Sequence, residues 1–434
     1  MDNPLYLPEH FALPDESESK KHDGVYKGNP LLRWDLSIYA NLPEGVERKR
    51  DKDSFQWQTY YRIGAQWLDA DCKQALVVTP KYDDIDFTKM FLDCLESGLD
   101  VNRFSGIYDI DFEQPAVPTN KLDNVLSPLI IVHFLTVVEK IVKRGLKKGY
   151  VHREENLKKV KGRIRILANE RENVIPRRFD RVYCQYNEFT VDIPENRLIK
   201  KALLFAQRTL TSWQNHKHYS ALFQLENKCL AAFELVSSEI ALREVKLVKS
   251  HKLFRDYDLA VNLAKIILRH NNYSINNATV EKKTTPVFWL DMAGLFEMYV
   301  YSILHEQYGD KIKYQVQGAE KETLDFLFID KKERLILDAK YMSLNVKERS
   351  ILDIIRQLAG YARDVIILEK LGYRKEEQNV VVPCIFLYPQ NNNSTNKTNS
   401  KILDEQNRDP INGWTEFYKI PIPIPRRKQT NSVK

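Results

Sequence analysis

Two carboxylates and a lysine stand inside otherwise apolar runs of this 434-residue chain. Asp325 lies within Leu324-Asp325-Phe326-Leu327-Phe328-Ile329, and Asp338 and Lys340 close the run Leu335-Ile336-Leu337-Asp338-Ala339-Lys340. Both runs read as β-strands joined by the charged turn Asp330-Lys331-Lys332-Glu333. An unpaired charge is costly to bury, so something must offset that cost. Antiparallel pairing about the centre of the turn sets Asp325 opposite Asp338. Directly opposed residues have Cβ atoms roughly 4.5–5.5 Å apart on one face of the sheet. Two carboxylates so placed repel unless one keeps a proton or a cation lies between them. Lys340 is two residues beyond Asp338 and returns to the same face, while Ala339 points away. The register assumes a loop centred on Lys331-Lys332, a pair that two-residue hairpin turns do not favour.

That arrangement suits metal-assisted cleavage of a phosphodiester. Carboxylate oxygens fit Mg2+, a hard ion that keeps several of its waters. Such an ion polarises a phosphate oxygen and lowers the pKa of a bound water. Lys340 is placed to orient or help deprotonate that water, or to stabilise charge on the phosphate. Glu297, among Phe296, Met298, Tyr299 and Val300, offers a third carboxylate from a helix. Gln357 and Tyr361 are four residues apart and share a helix face. They suit DNA positioning or support of the site. The bland alternatives are a solvated ion pair at a strand end, a surface pairing of Glu297 with a lysine, and polar helix packing at Gln357 and Tyr361.

The elements that must position these groups run helix–strand–strand–strand–helix–strand, a compact α/β unit. The spacing predicts a helix from about Pro286 to Tyr308, then strands Ile312–Val316, Thr323–Ile329 and Arg334–Tyr341. A helix Glu348–Ala362 and a strand Val380–Leu387 follow. Pro383 makes that last strand an edge candidate, and the Ile/Pro alternation of Ile420–Pro425 also suits an edge. Upstream, Val125–Leu146 carries apolar residues at helical spacing, as do Arg197–Trp213, Tyr219–Leu242 and Leu259–His270. Leu76-Val77-Val78-Thr79-Pro80 reads as a strand stopped by proline, Phe55–Ile63 as a weaker strand, and Phe87–Glu96 as a short helix.

The order Glu in a helix, Asp in a strand, Asp-x-Lys in the next strand and Gln-x-x-x-Tyr in the next helix resembles the PD-(D/E)xK nuclease superfamily. Within it, the chain resembles the McrC family, the nuclease subunits of McrBC-type modification-dependent restriction systems. Asp338-Ala339-Lys340-Tyr341 and Leu295-Phe296-Glu297 are similar to its core motifs. The likeness continues through Val78-Thr79-Pro80-Lys81, Arg144-Gly145-Leu146 with Tyr150, and Lys161-Gly162-Arg163-Ile164. It also takes in the run Cys184–Asp192 and Pro194-Glu195-Asn196-Arg197. It spans about residues 60–390. The superfamily's proline before the first aspartate is Leu324 here, which leaves the carboxylate in place. The resemblance implies a Mg2+-dependent endonuclease acting on double-stranded, modified DNA. Its catalytic residues would be Asp325, Asp338, Lys340 and Glu297, with the metal on Asp325, Asp338 and Glu297. It also implies a McrB-like AAA+ GTPase ring as partner, which binds the GTP and whose GTPase this chain stimulates. A non-cutting adaptor that activates such a ring, and a standalone RecB-like nuclease, are the alternatives.

The bulk composition fits this frame. The chain is 43% apolar and 29% charged with a net charge of +7, a mild basic bias compatible with nucleic acid. Its five cysteines are scattered without a C-x-x-C pair, which suits a reducing compartment. With no long apolar run and no signal sequence, a cytoplasmic protein without a membrane segment is expected. No G-x-x-x-x-G-K-[ST] motif is present. The expected organisation is α+β and multidomain: a disordered arm (1–30), a β-rich N-terminal domain (31–115), a mostly helical middle domain that docks the partner (116–275), and a restriction-endonuclease-like domain (276–434). The basic stretch Lys140–Arg165 could follow DNA phosphates, though charge runs are usually solvated. Glu188, Asp192, Asn196 and Arg197 read as a structural ion-pair and capping network rather than a site.

Overall fold

A computed structural model describes residues 4–11, 28–35, 56–82, 84–96, 103–111, 114–119, 121–211, 219–240, 255–276, 284–319, 322–342, 348–377, 379–390 and 401–427. The chain divides into two compact units. The first joins residues 1–128 to residues 282–434; the second is residues 129–281. The separate domains expected at 31–115 and 276–434 are therefore one unit built from both halves of the chain.

The first unit begins with β1 (Leu5–Pro8), β2 (Leu32–Asp35), β3 (Gln56–Thr59), β4 (Arg62–Trp67) and β5 (Ala75–Thr79). Helices α1 (Phe87–Glu96) and α2 (Phe104–Ile107) and strands β6 (Tyr108–Asp111) and β7 (Val117–Pro118) follow. The expected loose arm is corrected over residues 4–11. There β1 pairs in parallel with β5, and Leu7 is buried with Leu31, Leu32, Leu68, Leu76 and Val78. Pro4 and Pro8 fit because β1 is an edge strand, where a missing N–H interrupts no ladder. Residues 12–27 of that arm lie outside the described residues.

The second unit holds most of α3 (Asp123–Arg144), then β8 (Gly149–Leu157), β9 (Arg163–Ile164), the single turn α4 (Ile166–Asn169) and β10 (Val182–Thr190). Helices α5 (Pro194–Thr211), α6 (Tyr219–Ala232) and α7 (Arg255–Asn276) complete it. A mostly helical region was expected, yet β8 and β10 pair antiparallel along their whole length. Their alternation is carried by charged residues that pair with one another, such as Arg153 and Glu188. A search for apolar alternation passes over such strands.

The chain then returns to the first unit with β11 (Thr284–Thr285) and β12 (Val287–Asp291). The segment after Pro286 was expected to be helical; it is a strand inserted between β4 and β6. This pairing needs Gly64, because a Cβ there would meet the Phe288 carbonyl oxygen at 2.1 Å. Asp291 ends the strand and caps α8 (Met292–Tyr308), its carboxylate accepting from the N–H groups of Ala293 and Gly294.

A six-stranded sheet follows: β13 (Ile312–Gln317), β14 (Thr323–Ile329), β15 (Arg334–Ala339), β16 (Cys384–Pro389), β17 (Asp409–Pro410) and β18 (Phe417–Ile422), in the order β13-β14-β15-β16-β18-β17. Between β15 and β16 lie α9 (Glu348–Tyr361) and α10 (Val365–Lys370). β16 is an interior strand, not the edge that Pro383 suggested. It starts one residue later, and the Pro383 carbonyl still accepts from Ile336 N at 3.1 Å. In β18 and just beyond it Ile420, Ile422 and Ile424 are buried while Pro421 and Pro423 face outward, and β17 reaches only Tyr418 and Lys419. Helix α9 buries Ile354, Ile355, Leu358 and Tyr361 at three- and four-residue spacing. Of these, Ile354, Leu358 and Tyr361 pack with Leu324, Leu327, Ile336 and Phe386 of the sheet. The Asn-rich segment 391–400 and the basic tail from 428 lie outside the described residues.

Candidate active site

The β14–β15 hairpin has the register the sequence suggested. Phe326 pairs with Leu337 and Ile329 with Arg334, which sets Asp325 opposite Asp338 one step further along. The turn closes on Lys331-Lys332 with Asp330 N donating to Glu333 O at 2.9 Å. Neither lysine takes a positive φ, so this is not a primed hairpin turn. Ion pairs hold both of its ends instead: Lys311 on Asp330 at 2.9 Å, and a bidentate Arg408 on Glu333 at 2.6 and 2.7 Å.

Asp325 Oδ2 accepts the backbone N–H of Ala339 at 2.7 Å, tying the first acid to the middle of the Asp-x-Lys. Asp338 is 2% exposed, and Lys340 Nζ is 2.7 Å from its Oδ2. The Lys340 N–H donates to Leu387 O at 2.8 Å, the last such bond before the chain leaves the sheet. Burial, then repulsion from Asp338 and Glu297, pushes the Asp325 carboxyl up to about 8. Burial likewise raises Asp338, against the pull of Lys340. Burial works to lower Lys340, but Asp338 and Asp325 hold it above its usual value. The lysine is therefore a cation at neutral pH, while the Asp325 carboxyl keeps its proton there in the absence of a further cation.

Glu297 approaches from α8. Burial raises its pKa, with Asp338 adding repulsion and hydrogen bonds from Gln315 and Tyr314 working the other way. Gln315 Nε2 donates to Glu297 Oε1 at 3.1 Å. Gln315 has φ +50, a left-handed conformation that costs a non-glycine residue about 1–3 kcal/mol and clusters at functional sites. Arg103 donates to Gln315 Oε1 at 2.7 Å and lies 4.6 Å from the centre of the Tyr314 ring. Gln315, Tyr314 and Arg103 carry no sequence motif, and only backbone strain and proximity disclose them. Tyr361 is buried and donates to Thr323 O at 3.2 Å, anchoring α9 to the strand that holds Asp325. Gln357 is exposed and reaches Tyr361 Oη at 3.4 Å.

The structure thus brings Asp325, Asp338 and Lys340 together, with Glu297 and Tyr361 within electrostatic reach. Paired, oxygen-only donors that would ionise fully once a cation lies between them have the chemistry of a hard divalent cation site. Glu297 is turned to Gln315, and among the described residues no three or more His, Cys, Asp or Glu side chains are gathered to hold a metal.

The second unit's acidic and basic residues are arranged differently. Arg197 grips Asp192 bidentately at 2.8 and 2.6 Å, Asn196 donates to the carbonyls of Lys147 and Val191, and Arg153 pairs with Glu188 at 2.7 Å. The basic stretch Lys140–Arg165 is largely matched as well. Lys143 pairs with Glu139, Arg144 with Asp256, Lys147 with Glu195, and Lys161 with Glu188. Among the described residues, no helix is long and apolar enough to cross a membrane.

A family model described as "McrBC 5-methylcytosine restriction system component" matches residues 67–357. No curated protein matches. Among solved structures, a refined half-complex from a tetradecameric assembly of Thermococcus gammatolerans McrB AAA+ hexamers with bound McrC is similar. The identity is 14% and the TM-score 0.36, over 97% of this chain and 94% of that one. The cryo-EM structure of the Thermococcus gammatolerans McrBC complex is also similar, at 15% identity and a TM-score of 0.29, over 70% of this chain and 87% of that one.

Proposed function

The chain belongs to the family of McrBC 5-methylcytosine restriction system components, and from that premise we propose that it is a subunit that cuts DNA. The reaction is Mg2+-dependent phosphodiester hydrolysis in double-stranded, modified DNA, performed by a PD-(D/E)xK-type domain in the first unit. The observation that carries this reading is the meeting of Asp325, Asp338 and Lys340 on one hairpin, with Lys340 Nζ 2.7 Å from Asp338.

Asp325 and Asp338 would hold the cation, with Glu297 at their side. Mg2+, when bound, supplies Lewis-acid polarisation and neutralises charge. Asp325 fixes its own place by accepting from Ala339 N, so the two acids and the lysine shift together or not at all. Lys340 keeps its proton and is therefore suited to stabilise charge that develops on the scissile phosphate, rather than to remove a proton. Tyr361 holds α9 against β14, and exposed Gln357 would meet the DNA backbone.

The partner is an AAA+ ring, which binds the GTP and whose GTPase this chain stimulates. In the Thermococcus gammatolerans assembly, McrC is bound to McrB AAA+ hexamers. The second unit supplies a suitable surface. Ile166, Leu167, Ile175 and Phe179 are 72–83% exposed within one stretch that also carries Arg177 and Arg178. Exposed apolar groups of this kind mark interaction sites. The setting is the cytoplasm.

A second reading, a non-cutting activator of the ring, draws on Glu297 being engaged by Gln315. One experiment separates the two. Wild type and Asp338→Ala are compared for cleavage of methylated DNA with partner, GTP and Mg2+. Loss of cleavage with GTPase stimulation intact supports the nuclease. Equal cleavage by both overturns the assignment of the site, no cleavage by either favours the activator, and cleavage without partner or nucleotide favours a standalone enzyme.

A further inference from the structure

The residue after Lys340 is held by a buried cluster that the catalytic assignment does not use. Tyr341 is 4% exposed, and its hydroxyl donates to Glu9 Oε1 at 2.7 Å. Glu9, itself 3% exposed, comes from the N-terminal segment just after β1. Its Oε1 also accepts the backbone N–H of Lys81 at 3.1 Å. The Lys81 ammonium lies 3.7 Å from the centre of the Tyr341 ring and 3.4 Å from the Tyr341 carbonyl oxygen. Phe296, next to Glu297, packs on the same ring with centroids 5.7 Å apart, and Tyr61 meets it edge-on at 6.3 Å.

A buried carboxyl and a half-buried ammonium thus meet around one tyrosine. Burial drives Glu9 up and drives Lys81 down to about 8, each partly offset by the other. A fold seeking stability alone gains little from such a pair, since apolar residues of similar volume often serve as well. Its location supplies a use. The ladder ends at the bond from Lys340 N to Leu387 O, and Met342 N then turns back to Lys340 O at 2.8 Å. Lys340 therefore sits at the point where the sheet stops fixing the backbone, and the next fixed point is Tyr341.

Resting on the nuclease reading above, we propose that Glu9, Lys81 and Tyr341 form a clamp that positions Lys340, and through Phe296 the helix of Glu297, for the reaction. The three are positioning residues, and Glu9 makes the N-terminal segment part of the catalytic apparatus. Positioning groups of this kind matter because small misplacements of reacting groups are costly in rate.

The test uses the full chain with its partner, GTP, Mg2+ and methylated DNA. Tyr341→Phe keeps the ring and loses the bond to Glu9, and Glu9→Gln keeps an acceptor and loses the charge. The expected result is a fall in kcat of about 10-fold or more for Tyr341→Phe and a smaller fall for Glu9→Gln. KM for DNA, Ca2+ affinity by calorimetry and stimulation of the partner's GTPase should stay within about two-fold. Unchanged kcat in both variants overturns the clamp, and so does a loss of kcat matched by loss of Ca2+ binding and GTPase stimulation, which indicates general damage. Lys340→Met is the control for the reading beneath. If it cuts normally, the nuclease assignment of Lys340 fails; if it is inactive while Tyr341→Phe and Glu9→Gln are normal, only the clamp fails.

Discussion

The hairpin of Asp325, Asp338 and Lys340 and the network of Arg153, Glu188, Asp192 and Arg197 use the same residue types to opposite effect. In the second unit the hydrogen bond from Arg197 leads the causes that hold Asp192 below the usual carboxylate range, outweighing burial. Lys161 and Arg153 do the same for Glu188. At the hairpin, burial leads in raising Asp325, Asp338 and the neighbouring Glu297, repulsion adds to it at Asp325 and Glu297, and Lys340 pulls the other way. Charge that is matched within the chain serves the chain. Carboxyls left without a matching cation leave room for one from outside, and on the nuclease reading Mg2+ supplies it at the hairpin.

The largest expected effect comes from cutting into the unmatched side. Asp325→Asn should reduce Mg2+-dependent cleavage by at least about 1,000-fold, as loss of a group central to electrostatic stabilisation does, while raising thermal stability at pH 8. The sign follows from linkage. A carboxyl raised to about 8 contributes stability that is complete below its unfolded value near 4 and is lost as pH rises through 8. The neutral amide should therefore flatten the fall in Tm between pH 5 and 9. A lower Tm for the variant at pH 8 would contradict the idea that this acid is held against its preference.

The matched side should respond the other way. Asp192→Asn leaves Arg197 without its bidentate partner and the Ser237 N–H with a weaker one. Stability should drop by about 2–4 kcal/mol in urea unfolding, with cleavage per folded molecule unchanged. A comparable loss of specific activity would move this network into the site.

Glu226 in α6 tests whether unmatched charge alone makes a site. It is fully buried, its Oε1 lacks a hydrogen-bond partner, and burial raises its carboxyl to about 7, Gln207 partly opposing. Glu226→Gln should raise stability by about 1–2 kcal/mol at pH 8 and by little at pH 5, because the native acid keeps its proton there. Cleavage and GTPase stimulation should be untouched; a loss of either would give Glu226 a function. The smallest effect belongs to Gln357→Ala, where a change of about two- to five-fold in KM for DNA with an unaltered Tm is expected. A kcat effect exceeding the KM effect would place Gln357 at the reacting phosphate.

What the sequence disclosed follows the same division. Asp325, Asp338 and Lys340 were legible because charge inside an apolar strand contradicts its surroundings, and a register fixed by a turn converts two such positions into one face. The Arg197 and Asp192 pairing was legible from its place at a strand-to-helix junction. Glu9, Lys81, Gln315 and Arg103 were not, because each lies far along the chain from the residue it serves and sits in no periodic pattern. The β8–β10 pair was missed because its alternation is written in charged residues. Strand β12 was missed because Val287–Asp291 is as apolar as the helix it precedes, and only the capping role of Asp291 marks the boundary.

The division of the first unit between the two ends of the chain has a consequence for biosynthesis. Ala65 pairs with Val77 early, but finds its partner on the other side only when Phe288 has emerged from the ribosome. At about 5–20 residues per second, that is a wait on the order of 10 to 40 s. By the end of that interval the second unit, 129–281, is complete in sequence, while β14 and β15 do not yet exist. A message broken before codon 325 yields a product without either aspartate. On the nuclease reading, the order of translation acts as a safeguard for the genome of the cell that makes the protein.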